Sequence, residues 1–247
     1  MTKDGRPSTI QDIRLFYGSD PRSGSYLKGQ EEAVAFCRRL AWYLNAQGFS
    51  LGSYTHLYLL LTTGLAPDEL EVTDFGGEWW HRFTEIGVSD DLLERQDAGD
   101  CIREGVVAAL KTIRPDLSDM VEHAARIVGE EGEALRVLVK VHRGRRYIVS
   151  VSFSIAAWPQ TSSLFIGIED RTNGSYLEAP PVHLRFYQDA FDLVGKVQIN
   201  DSSLLVIPKP SFTASLTKAD YGASIIFLIS AFRPCPRPSL TGLVKRS

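Results

Sequence analysis

Cysteine is scarce in this chain: Cys37, Cys101 and Cys235 are three in 247 residues, odd in number, far apart and without a C-x-x-C pairing. That excludes a disulfide framework, gives no zinc-ligand spacing, and suits a reducing cytoplasm. Long apolar runs are missing too. The longest, Ile225 to Ile229, falls far below the roughly 18 residues of a membrane-spanning helix. Met1 to Pro7 has no apolar stretch behind its charges, so no secretory leader is expected, and the sequons at Asn173 and Asn200 carry no weight without one. No cofactor or metal is expected either. The adjacent acids Asp90/Asp91 and Glu130/Glu131 point in different directions on a helix and do not share a ligand. The basic cluster Arg143, Arg145 and Arg146 is small and has no interleaved aromatic stripe, so nucleic acid is not the expected partner.

Also missing is a catalytic string in its proper context. Gly48-Phe49-Ser50-Leu51-Gly52 spells the nucleophile elbow G-x-S-x-G, but an elbow needs a strand before the serine and a helix after it. Here the order is reversed. A hydrolase using Ser50 with His56 or His81 stays as the alternative from another class, a regulatory scaffold as a third; the primary reading is a binding protein and not an enzyme.

What is present is a division of charge. The net charge is −3, yet residues 1 to 135 carry 13 Lys+Arg against 23 Asp+Glu, and residues 136 to 247 carry 14 against 7. Between Asp68 and Glu133, 18 acids face 6 bases. A one-signed surface steers a complementary partner, so a basic protein is expected and a polyanion is not.

Periodicity changes with charge. Ile10 to Gly18 alternates as a strand, and Gln30 to Gln47 reads as a helix with Ala33, Phe36, Cys37, Leu40, Tyr43 and Leu44 on one face, stopped by Gly48. Tyr54 to Thr62 reads as a strand. A short helix capped by Ser89, a second from Asp100 to Pro115 and a third from Leu117 to Val128 follow the acidic stretch. From Leu135 the period becomes 2: Leu135, Val137, Val139 and Val141 point inward, Tyr147 to Ile155 returns as a hairpin partner, and Leu164 to Ile168 makes a third strand. Strands at Ser175 to Leu177 and Leu204 to Ile207 flank a helix over Val182 to Val194. The expectation is an α+β fold, a mainly antiparallel sheet packed on one side by helices, with a helix-rich acidic first half and a hairpin-rich second half. It forms one domain over 1–232, and 233–247 is a mobile Pro/basic tail.

Val72 to Phe83 holds two of the four tryptophans beside Gly76-Gly77. Paired Trp rings give large, stiff, amphipathic contact area of the kind that dominates interfaces. The expected binding face comprises Trp79 and Trp80 with the acids Asp74, Glu78, Glu85, Asp90 and Asp91.

The opening strand Asp12-Ile13-Arg14-Leu15-Phe16-Tyr17-Gly18, the helix after it, Glu78-Trp79-Trp80 and the α+β order resemble the immunity proteins of bacterial polymorphic-toxin systems. The likeness spans about residues 10 to 210 and is nearest the TsiT kind of type VI secretion, paired with nuclease toxins of the restriction-endonuclease fold. It implies a cytoplasmic protein that binds and blocks a co-encoded toxin without turnover. No functional residue carries over from it.

Overall fold

The computed structural model describes residues 7–19, 25–73 and 80–242. It is an α+β protein whose chain divides into two compact units, one up to Gly132 and one from Glu133 to Leu243. The division falls where the sequence changes from period 3.6 to period 2. Among the described residues no helix is long and apolar enough to cross a membrane.

In the first unit, β1 (Asp12–Tyr17), β2 (Ser25–Tyr26), α1 (Glu31–Gln47), β3 (His56–Thr62), β4 (Leu70–Thr73) and β5 (His81–Gly87) precede two long helices, α2 (Ala98–Ile113) and α3 (Ser118–Glu131). The sheet runs β2-β1-β3-β5-β4, with β1, β3 and β5 parallel and the edges antiparallel. α1 forms as its spacing dictates: Glu31 and Glu32 sit at the positive end of the dipole, and Gly48 takes the left-handed cap at φ 85°. Leu57, Leu59, Leu60 and Leu61 of β3 are all buried, which occurs only when both faces of a central strand are covered. Each such leucine contributes roughly 1.5–3 kcal/mol. The face bearing Leu61 and Ile86 meets α2, where Gly105 lets Ile86 approach.

β4 and β5 occupy the acidic, Trp-bearing stretch before Ser89, for which the sequence pattern assigns no element. The reason is that Arg82 and Glu85 interrupt the apolar alternation of β5, while His81, Thr84 and Ile86 are the residues it buries. The helix expected from Ser89 shrinks to a 3-10 turn at Leu92–Glu94, and Ser89 Oγ caps nothing.

In the second unit, β6 (Arg136–Arg143), β7 (Tyr147–Ser154), β8 (Ser162–Asp170), β9 (Tyr176–Glu178) and β10 (Val182–Leu184) precede the short α4 (Asp189–Leu193), β11 (Lys196–Ile199), β12 (Ser203–Ile207), α5 (Phe212–Tyr221), β13 (Ile225–Leu228), β14 (Arg233–Pro234) and β15 (Leu240–Thr241). One sheet runs β14-β9-β8-β7-β6-β15, with β10 also on β8; another runs β11-β12-β13.

Three expectations change here. The register slips between Leu138 and Lys140, so Lys140 stands opposite the core residue Val151 while Val141 stands opposite Ser150. One extra residue exchanges the faces of everything after it, which takes Val141 off the inward face; Lys140 Nζ instead donates to the Gly195 carbonyl. The helix expected over Val182 to Val194 is a strand, a turn and one helical turn. Leu184, Tyr187, Phe191 and Val194 are buried as the stripe required, but Val182 pairs with Leu164 in the sheet. Finally, the described part of the segment after Phe232, residues 233–242, is paired at several points. Arg233 and Pro234 pair with Glu178 and Leu177, Leu240 and Thr241 pair with Arg136 and Val137, and Arg237 meets Glu169 at 3.1 Å. Proline is tolerated there because both additions are sheet edges.

Candidate functional site

The three parallel strands of the first unit align their side chains in rows on the sheet face opposite Ile86. Asp12, His56 and His81 are in register, then Arg14, Tyr58 and Phe83, then Phe16, Leu60 and Glu85. Trp80, the residue before β5, joins this face. Its ring meets His56 at 4.8 Å, His81 at 4.6 Å and Tyr58 at 5.9 Å between centroids, each edge-on. Tyr58 stacks on His81 at 4.5 Å and meets Phe16 at 5.3 Å, and Phe16 stacks on Tyr26. Offset and edge-on pairs contribute about 0.5–1.5 kcal/mol each beyond burial. The Trp80 carbonyl accepts the backbone N–H groups of Thr55 and His56 at 3.0 and 3.2 Å, which ties the ring to β3.

The polar members of this face are partly withdrawn from water. Burial pushes the His56 imidazole below its ordinary value; Asp12 opposes this and Arg14 and His81 add to it. Burial also acts against the Arg14 charge, but the hydrogen bond and field of Asp12, 2.7 Å away, outweigh it and hold the guanidinium charged. Burial raises the Tyr58 phenol. Among the described residues, no group of three or more His, Cys, Asp and Glu side chains is placed to hold a metal ion.

Of the residues singled out from the sequence, Asp74, Glu78 and Trp79 lie outside the described residues. Trp80 is half-buried, Glu85 is half-buried on β5 directly opposite Glu71, and Asp90 and Asp91 are exposed beyond the far end of β5. A seven-residue strand separates Trp80 from those two acids, a span of about 23 Å. Sequence reasoning passed over Tyr58 and Phe83. Their signal was the repeat His56-Leu57-Tyr58 and His81-Arg82-Phe83, a His-x-aromatic pair in two strands.

The helical layer carries the acid. Each cation between Asp90 and Glu131 is held by an acid: Arg95 by Asp97, Arg103 by Asp100, Lys111 by Glu122, Arg114 by Asp116 and Arg126 by Glu130. Among the described residues, Asp90, Asp91, Glu94, Glu104, Asp119 and Glu131 of the same stretch enter no ion pair. The layer is therefore negative after its internal pairs are made. In the second unit, Arg146 of the basic hairpin tip is drawn to Asp170 at 3.2 Å and Asp201 at 3.7 Å.

Ser50 Oγ accepts from the Gly52 N–H at 3.0 Å, and His56 Nδ1 lies 2.8 Å from Thr55 Oγ1, so the two are not hydrogen-bonded to one another. Cys37 is fully buried, and burial drives its thiol far above the ordinary range, as suits a core residue. In comparisons with known proteins, the chain matches no protein family, no curated protein and no solved structure.

Proposed function

We propose that this chain is an immunity-type inhibitor that binds and neutralises a basic toxin, with a nuclease domain as the toxin's chemistry, and acts in the cytoplasm. The observation that carries the reading is the uncompensated acid of α2, α3 and the turn before them: five cations are consumed by ion pairs and six acids are left over. A nuclease cleft must be basic to hold its polyanion, so a surface of this sign attracts it and speeds encounter. Trp80, with the rings behind it, supplies an aromatic anchor of the sort that concentrates binding energy. Trp79, Asp74, Glu78 and Glu85 are assigned with Trp80 to the anchoring contact, while Asp90 and Asp91, beyond the far end of β5, act with the acid of α2 and α3 in long-range attraction of the partner.

The test is capture from the source cells on the tagged chain, followed by purification of the retained protein, a nuclease assay with and without the chain, and stopped-flow association at several salt concentrations. A basic nuclease, inhibited at one-to-one stoichiometry and bound more slowly as salt rises, supports the reading. An acidic partner, salt-independent association, or unchanged nuclease activity overturns it.

A further inference from the structure

A cavity of about 250 Å³ lies at the carboxyl ends of β3 and β5, bounded by Leu61, Leu70, Ile86, Leu92 and Ile102 and closed on one side by α2. The crevice beyond the carboxyl ends of parallel strands is where open sheets admit ligands, because the chain diverges there. Three further observations meet at this cavity. Ser89, in its lining, holds a buried Oγ with no hydrogen-bond partner. Asp68, at the mouth, has φ 66° and is the one non-glycine residue with positive φ among the described residues; such strain persists where surrounding structure imposes it. Asp68 and Glu104 are both exposed at the rim and enter no ion pair among the described residues, whereas the Arg95 guanidinium is occupied by both oxygens of Asp97. The rim is therefore net negative above apolar walls. Burial, then the charge of Asp97, raises the Cys101 thiol in the lining above its ordinary value.

We propose that this cavity is a binding site for a small primary amine with an apolar body. The ring or chain fills the space between Leu61, Ile86 and Ile102, and the ammonium faces Asp68 and Glu104 with one N–H directed to Ser89 Oγ. The volume suits one ring: an apolar cavity of ~150 Å³ already takes benzene. The site stands apart from the ring face around Trp80 and does not require the inhibitor reading.

Phenethylamine and 3-phenylpropionate share a ring and a short chain and differ in charge, so they serve as probes in a titration of the isotope-labelled chain followed by NMR. The expected result is saturable shifts at Leu61, Ile86 and Ile102 with phenethylamine at a Kd on the order of 1 mM or tighter, and binding about tenfold weaker for the carboxylate. Ser89→Ala is expected to weaken phenethylamine about threefold or more with an unchanged urea midpoint, because the free protein loses no hydrogen bond. Asp68→Asn with Glu104→Gln should remove the preference between probes; asparagine keeps the left-handed backbone available. Equal binding of both probes, no saturable shift with either, or a Ser89→Ala variant that loses stability without losing affinity overturns the proposal.

Discussion

Trp80 and His56 meet edge to face at 4.8 Å, and the backbone of His56 donates to the Trp80 carbonyl at 3.2 Å. The ring is thus fixed to the central strand by its own main chain, and the entrance to β5 is locked before the strand begins. Removing the ring in Trp80→Ala is expected to cost about 2–3 kcal/mol, below a full core truncation because Trp80 is only half-buried. Trp80→Phe should cost less than half of that. Urea unfolding of both variants reads the difference, and an unchanged midpoint for Trp80→Ala would mean that the ring contacts carry no stability.

The same face makes stability depend on pH. The folded state resists protonating His56, whose unfolded value is 6.5. Below that value the unfolded chain binds more protons, so stability is present above pH 6.5 and is lost as pH falls through it toward the lower folded pKa. His56→Gln should flatten this part of the profile, measured as urea midpoints between neutral and mildly acidic pH.

Two glycines should respond oppositely to alanine. A Cβ on Gly87 would stand 1.8 Å from the Ala66 carbonyl oxygen, a backbone atom, so Gly87→Ala is expected to cost about 2–3 kcal/mol. A Cβ on Gly129 within α3 meets nothing within 4 Å, and Gly129→Ala should stabilise by up to about 1 kcal/mol through helix propensity. Thermal melts of the pair decide it.

Charge reversal tests the helical layer. Asp90→Lys with Asp119→Lys, two acids outside the ion pairs, should slow association of the partner captured in the test of the proposed function about tenfold at low salt and reduce its salt dependence. Dissociation should change little. An unchanged on-rate would remove these acids from the encounter surface.

Deletion of residues from Arg233 onward should destabilise the second unit, because it removes the pairing of β14 with β9 and of β15 with β6 and the Arg237–Glu169 contact. The expected loss is about 2–4 kcal/mol, from a few edge hydrogen bonds. A midpoint equal to that of the full chain would return this segment to the mobile tail its proline content suggested.

Where an element's signal is local, the sequence was enough to read it. α1 declares itself through its apolar spacing and Gly48; the β6–β7 hairpin and β8 declare themselves through alternation; the acid of the helical layer can be counted directly. β5 could not be read in this way. His81, Thr84 and Ile86 earn their burial only from neighbours far away in the chain, and Arg82 and Glu85 obscure the pattern. The 182–194 segment shows the converse, since its inward residues were identified correctly and its conformation was not. A stripe at helical spacing is equally met by a strand, a turn and a short helix once Val182 has a sheet partner.

The sequence by itself determined the α+β class, the change from helical to alternating period near Leu135, and the sign of charge on each half, because these depend on residue type and near-neighbour spacing alone. Only the tertiary structure decided that Asp12, His56 and His81 share a row, that Trp80 is tied to β3, that every cation of the helical layer has an acid partner, and that the proline-rich end is paired at two sheet edges. Strand register joins residues tens of positions apart, the helical ion pairs depend on which side-chain directions the folded helices and turns present even between near neighbours, and a shift of one residue, as at the β6 bulge, exchanges one face for the other.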